Sequence, residues 1–327
     1  MTLSRRKLLG AALALPAFGL PSLAACGDDE AAASASGGRK KVRLTYGAIS
    51  VPKTRGVFEK TLKDQGIDVE WVGPFPNHAP TLQAVATNTA DFSFGGSSTP
   101  ADQALLSGNK LVYVAWSKST PRTSSIITLP TSGIKTVKDL AGKNVAVNKA
   151  GLGEFLLVAA LEKYNVPRES VTFTYLNPPD AAPAFGSGKV DAWSIWSGPL
   201  ELAEVQYGAK RIFEDGKELD KQIDFGSYLV RDDYAKKEAD TIRKVIAAYK
   251  AEQDWANANP AEAQKIGNAV SKYPQGVVDK LVAENVQVTW SLINDEGIAQ
   301  LQAGADWLSD HKVLSDKINI ADHAVKL

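Results

Sequence analysis

Ala90-Asp91-Phe92-Ser93-Phe94-Gly95-Gly96-Ser97-Ser98-Thr99-Pro100 joins a short apolar run to a glycine pair and a cluster of hydroxyls. The run reads as a strand over 90–94 that ends in a tight turn and opens a helix over Ala101–Leu106. The same grammar recurs downstream. Strand Asn144–Val147 runs into Asn148-Lys149-Ala150-Gly151-Leu152-Gly153 and then a helix from about Gly153 to Tyr164. Repetition of strand, loop and helix predicts an α/β fold with largely parallel sheets.

Working outward, Val42–Tyr46 alternates, a helix fills 54–64 and stops at Gly66, and Ile67–Val72 alternates again. A helix follows over 79–88, and Leu111–Trp116 has the continuous apolar character of a buried strand. A second α/β unit begins near Ser124. It holds strands at Ile126–Leu129, Val171–Leu176 and Asp191–Trp196, one helical turn over Thr136–Leu140, and a short helix over Pro179–Ser187. Beyond about residue 226 the pattern is helical with no matching strands, so these helices are expected to pack back on the first unit. Asp240–Asn257 puts Ile242, Val245, Ile246 and Tyr249 on one face. Asn259-Pro260-Ala261-Glu262 reads as a helix start, with Asn as cap, Pro first and Glu third.

The N-terminus addresses the protein. A basic start, Arg5-Arg6-Lys7, precedes a short apolar core and Leu23-Ala24-Ala25-Cys26. This is an export leader over 1–25, too short to span a bilayer as a mature helix. Its end resembles a bacterial lipobox, cut before Cys26, whose thiol takes a diacylglyceryl group. Ser4-Arg5-Arg6-Lys7-Leu8-Leu9 also resembles a twin-arginine motif. Residues 26–39 are small and polar, a flexible tether between lipid and domain. The expectation is a protein outside the cytoplasm, held to the lipid bilayer through Cys26.

Composition narrows the function. Cys26 is the single cysteine, so no disulfide, thiolate metal site or thiol nucleophile is expected in the domain. The chain has 37 basic and 37 acidic residues, and loss of the leader removes three bases and no acid. That balance points away from nucleic acid and from a polybasic membrane surface. His78, His311 and His323 show no metal-ligand spacing and read as surface residues, with His78 in a loop able to line a cleft. There is no Gly-x-Ser-x-Gly elbow and no Walker loop, and Gly151-Leu152-Gly153 lacks the third glycine of a dinucleotide site. Neither a catalytic set nor a metal or cofactor is expected.

What the chain does offer is anion handling. Ser97, Ser98 and Thr99 stand where a helix N-terminus presents free N–H groups and a positive dipole end. Lys149 and Gly151 stand at the equivalent place in the second unit, and Glu154 complements the dipole there. Two such termini can converge on one sulfonate, sulfate, phosphate or carboxylate. Arg122, where the chain passes between units, can clamp an oxyanion. Trp193 and Trp196 point to opposite faces, one to the core and Trp196 to the cleft.

Four ordered motifs also carry a resemblance. Asp91–Pro100 looks like a "DFG-x-x-G-x-TP" element, and Val137-Lys138-Asp139-Leu140-Ala141-Gly142-Lys143-Asn144-Val145-Ala146-Val147-Asn148-Lys149 like "V-x-DLKGKKVAVNKG". Leu176–Phe185 and Gly188–Trp196 look like "L-x-PADA-x-AAF" and "G-x-VDAWAIWDP". Together, over about 40–310, they resemble the aliphatic sulfonate-binding proteins of ABC importers, within the nitrate, sulfonate, taurine and thiamine-precursor group. The pattern departs at Ala150-Gly151, where glycine–serine is usual, and at Ser197-Gly198-Pro199, where Asp-Pro-Tyr is usual. The resemblance implies a type II periplasmic-binding fold, two α/β lobes on a two-strand hinge with the ligand between them. Lobe one would be 40–122 plus 227–327 and lobe two 123–226, with crossings near Pro121–Ser124 and Phe225–Tyr228. It further implies a monomer that takes an organosulfonate and presents it to a membrane permease.

Overall fold

A computed structural model describes residues 39–47 and 50–327. The leader, Cys26 and the tether through Gly38 lie outside the described residues. The chain opens with β1 (Lys40–Gly47), α1 (Val51–Arg55), α2 (Val57–Asp64), β2 (Ile67–Phe75), α3 (His78–Ala86), β3 (Gly96–Ser97), α4 (Ser98–Leu106) and β4 (Leu111–Thr120). β1 and β2 pair in parallel. The helix expected over 54–64 is two helices, because Gly56 adopts φ 75°, a left-handed conformation that ends α1 and re-aims α2. The strand expected over 90–94 is reduced to one bridging residue, Phe92, between Leu44 and Val230. Side chains take over the ladder on either side. The Phe94 N–H donates to Thr45 Oγ1 at 2.7 Å, and the Leu229 N–H donates to Ser93 Oγ at 2.8 Å.

The second lobe holds β5 (Ser125–Thr128), β6 (Asn144–Val147), α5 (Leu152–Lys163), β7 (Thr172–Tyr175), α6 (Pro178–Gly186), β8 (Ala192–Ile195), α7 (Pro199–Tyr207), β9 (Lys210–Glu214) and the short α8 (Asp215–Glu218). Its sheet order is β7-β6-β8-β5-β9, with β6 parallel to β7 and β8 and β5 antiparallel to its neighbours. α5 is apolar all round, and nine of its twelve residues are buried, so it is the central helix of this lobe.

The chain then returns to the first sheet with β10 (Gly226–Arg231). There follow α9 (Asp232–Lys237), α10 (Ala239–Ala258), α11 (Pro260–Ser271), α12 (Gln275–Glu284), β11 (Gln287–Leu292) and α13 (Asp295–Asp310). β10 and β11 flank β4 and both run antiparallel to it. This corrects two expectations: the C-terminal region contributes strands, and the first sheet is mixed. β11 is half-buried, and Trp290, on the face that also carries Val288 and Leu292, is its buried residue. The expected face of α10 is buried at Ile242, Val245, Ile246 and Tyr249. α11 starts at Pro260, but the Asn259 side chain donates to the Trp255 carbonyl and caps nothing. No helix among the described residues is long and apolar enough to cross a membrane.

The first crossing bonds to α8, the start of the segment that leads back to the first lobe. The Asp215 N–H donates to the Ser124 carbonyl at 2.9 Å, and the Gly216 N–H to the Arg122 carbonyl at 3.1 Å. A Cβ on Gly216 would stand 2.4 Å from the Arg122 carbonyl oxygen, so this close approach requires glycine there.

Candidate functional site

Residues of both lobes line one cavity of about 670 Å³. Among the predicted positions, Ser97, Arg122, Lys149 and Trp196 are on its wall. Trp193 is buried in the second lobe's core, and Trp196 is half-buried at the cavity. Ser98 and Thr99 are buried in the first turn of α4, and Gly151 is not on the wall. Across the mouth, the Asn77 side chain donates to Asn177 Oδ1 at 2.8 Å, first lobe to second.

The start of α4 already holds an anion of its own. Asp224 Oδ1 accepts from Ser97 Oγ at 2.6 Å, Thr99 Oγ1 at 2.8 Å, the Thr99 N–H at 3.0 Å and Ser98 Oγ at 3.3 Å. The sequence reading aimed these hydroxyls at a ligand; the structure aims them at a carboxylate from the returning crossing. Burial raises the Asp224 pKa, and the four donors pull it back down. A second acid, Asp102, is buried in α4 and accepts from the Tyr113 hydroxyl at 2.6 Å. Burial, opposed by that bond, carries its pKa to about 8, with Asp224 adding to the rise.

The start of α5 is filled differently. Asn148 Oδ1 accepts from the Gly153 N–H at 2.8 Å, and Glu154 accepts from the Ala150 N–H at 2.7 Å. Glu154 also accepts from Arg168 at 3.1 Å and from the Tyr175 hydroxyl at 2.9 Å, so it faces the protein. Gly151 has an ordinary extended φ of −144°, and a Cβ on it would overlap Asn148 Nδ2. Its missing side chain therefore makes room for Asn148. Lys149 is exposed on the cavity wall, its Nζ 5.8 Å from the Tyr175 ring centre, with no carboxylate in ion-pair range among the described residues.

Arg122 is committed to the hinge. Its Nε donates to Asp215 Oδ1 at 2.9 Å, and one terminal nitrogen donates to the Asp215 and Leu219 carbonyls. Burial raises the Asp215 pKa against the pull of Arg122. The guanidinium thus fastens the first crossing to α8, and the full bidentate face expected for a ligand is not on offer.

His78 departs from the surface reading. It is the first residue of α3, buried on the cavity wall, with Nδ1 2.8 Å from the Ser97 carbonyl. Burial lowers its pKa to about 4, so the ring is neutral at neutral pH. A carbonyl partner places the proton on Nδ1. Gly96 explains the fit, since a Cβ there would stand 2.3 Å from the His78 side chain. Sequence reasoning also missed Asp224 and the aromatic wall formed by Trp71, Tyr249 and Trp290. Asp224 gave no local signal, because its partners are 125 to 127 positions away. Among the described residues no group of three His, Cys, Asp or Glu side chains is placed to hold a metal ion.

A family model described as NMT1/THI5 like matches residues 51–263. The chain belongs to the NMT1/THI5-like family. It is 29% identical over 307 residues to a Bacillus subtilis (strain 168) protein named for binding aliphatic sulfonates, spanning 92% of this chain and 90% of the relative. Its fold matches the alkanesulfonate-binding protein SsuA from Xanthomonas axonopodis pv. citri, solved bound to MOPS. That match has TM-score 0.80 and 25% identity and covers 88% of this chain and 98% of the other. It also matches the periplasmic aliphatic sulphonate binding protein SsuA from Escherichia coli, with TM-score 0.75, 26% identity and 87% and 97% coverage. The motif resemblance and the type II two-lobe fold are borne out.

Proposed function

We propose that this chain is the substrate-binding protein of an ABC importer, exported, lipid-anchored through Cys26, and monomeric. It captures a small organosulfonate between its lobes, without chemistry, and delivers it to a membrane permease. Lobe one is 40–122 plus 227–327 and lobe two 123–226. The observation that carries this reading is the uncompensated Lys149 on the wall of an inter-lobe cavity, in a family whose named relatives bind sulfonates. Clefts of this kind set a few polar groups in an apolar wall, and here the wall includes Trp196. Ser97 and the remaining donor face of Arg122 flank the same space, while Ser98, Thr99 and Gly151 shape the helix starts behind it.

The test is calorimetric titration with alkanesulfonates, taurine, a sulfate ester, nitrate and a pyrimidine thiamine precursor, on the protein and on Lys149→Ala. Sulfonate binding that weakens roughly tenfold or more in Lys149→Ala, the size of a charge-assisted hydrogen bond, supports the reading. Binding of nitrate or the pyrimidine with no sulfonate response overturns the ligand. Sulfonate binding indifferent to Lys149 overturns the site.

A further inference from the structure

The cavity is larger than a sulfonate head needs. It continues from the cleft into the first lobe, between β11 and the helices α10 and α11, where Trp290, Tyr249, Ala256 and Ala263 line it. Its volume of about 670 Å³ lies within the roughly 300–1,000 Å³ range of sites for drug-sized molecules. Aromatic side chains line this end: Tyr249 and Trp290 pack on each other with ring centres 5.3 Å apart and a tilt of 30°, and Trp71 lines the same cavity.

Charge gives the cavity a direction. Its lining holds two cationic side chains, Arg122 and Lys149, at the hinge and second-lobe end, where Asp215 and Asp224 also line it; Arg122 is paired with Asp215, and Lys149 has no carboxylate in ion-pair range among the described residues. The end at α10 offers an anion no unpaired cation, since its one acid, Glu252, already holds Arg55. Glu252 is buried there, one carboxylate oxygen bonded to Arg55 at 2.8 Å and the other without a partner. An anionic head is drawn to Lys149, so the end at α10 is left to the ligand's tail.

From this juxtaposition of an unpaired Lys149 at one end and an aromatic wall at the other, we infer that the ligand is an aryl sulfonate. Its ring system is seated against Trp71, Tyr249 and Trp290. The inference rests on the sulfonate reading of the same site and adds the class of tail. Ring faces recover burial and stacking that a one- or two-carbon tail leaves unused.

The experiment is titration calorimetry with methanesulfonate, butane-1-sulfonate, naphthalene-2-sulfonate and naphthalene-2-carboxylate, on the protein and on Ala256→Leu. Ala256 is partly exposed on α10, and leucine suits a helix there while filling the chamber. Naphthalene-2-sulfonate is expected to bind at least about tenfold tighter than methanesulfonate, and Ala256→Leu to remove most of that advantage while sparing methanesulfonate. Retained methanesulfonate binding shows that the variant is folded. If methanesulfonate binds as tightly as the naphthalene compound, the aryl tail is overturned and the sulfonate head stands. If the carboxylate binds and no sulfonate does, the head fails and the aromatic chamber stands. If none of the four binds, both fail.

Discussion

The starts of α4 and α5 have the same grammar, a strand or bridge, a glycine-containing loop and a helix, yet the fold fills them in opposite ways. At α4, four donors converge on the carboxylate of Asp224, brought from the far crossing. At α5, the first turn is closed by Asn148, a neutral amide five positions away, and Lys149 is left exposed beside the cavity. A helix N-terminus attracts whatever negative group is nearest in space. In the first lobe that group is part of the protein, and the terminus is spent as a joint between α4 and the hinge. In the second lobe the cap on Gly153 is a neutral amide and the nearby Glu154 is held by Arg168 and Tyr175, so Lys149 keeps its charge for a ligand.

The difference can be broken hardest through pH. Asp102 lies inside α4 bonded only to a tyrosine hydroxyl, whereas the buried acid of α5, Glu154, also has Arg168. Its proton is held to about pH 8 in the folded state against an ordinary value of 3.8. Folding therefore takes up a proton between those values. This contribution is full below about pH 4 and is lost as pH rises through 8, a fall on the order of several kcal/mol at 1.36 kcal/mol per unit. Urea midpoints at pH 5, 7 and 9 should fall for the native protein and fall much less for Asp102→Asn. Equal slopes would remove Asp102 as the source.

Asp224→Ala comes next. It strands three hydroxyls and an amide N–H at the start of α4, at a cost of about 3 kcal/mol. Asp224→Asn keeps an acceptor and should recover roughly half. Denaturant unfolding of both variants measures the gap. A loss under about 1 kcal/mol for Asp224→Ala would mean the joint is not where the stability lies.

Much of the fold was legible because periodicity is local. Asn144–Val147 is a strand at its expected bounds, α5 and α10 lie within a residue or two of theirs, and Trp193 and Trp196 part company as strand geometry requires. β10 and β11 were missed although Val288, Trp290 and Leu292 alternate, because the surrounding helical pattern outweighed a six-residue signal. At the site, the loops were legible and their occupants were not. Hydroxyls at a helix start announce that they need an acceptor, and no local pattern tells whether it is a ligand or Asp224. Arg122 likewise read as a clamp for a ligand oxyanion, and the group it holds is the carboxylate of Asp215.

The smallest effect tests the loop that distinguishes α5. Ala150 sits at φ 45°, in the left-handed region that favours glycine. A Cβ there costs about 1–2 kcal/mol. Glycine would relieve that strain but would add about 0.5–1 kcal/mol of unfolded-chain entropy. The two nearly offset, so Ala150→Gly should stabilise by about 0.5 kcal/mol, or about 1 °C in the melting temperature. The sign is the informative part. A rise means the Asn148–Gly153 loop is held in its turn by Asn148 and Glu154 against the preference of residue 150, and that Lys149 is presented at some cost. A fall means that the alanine is unstrained and that the turn needs no such hold.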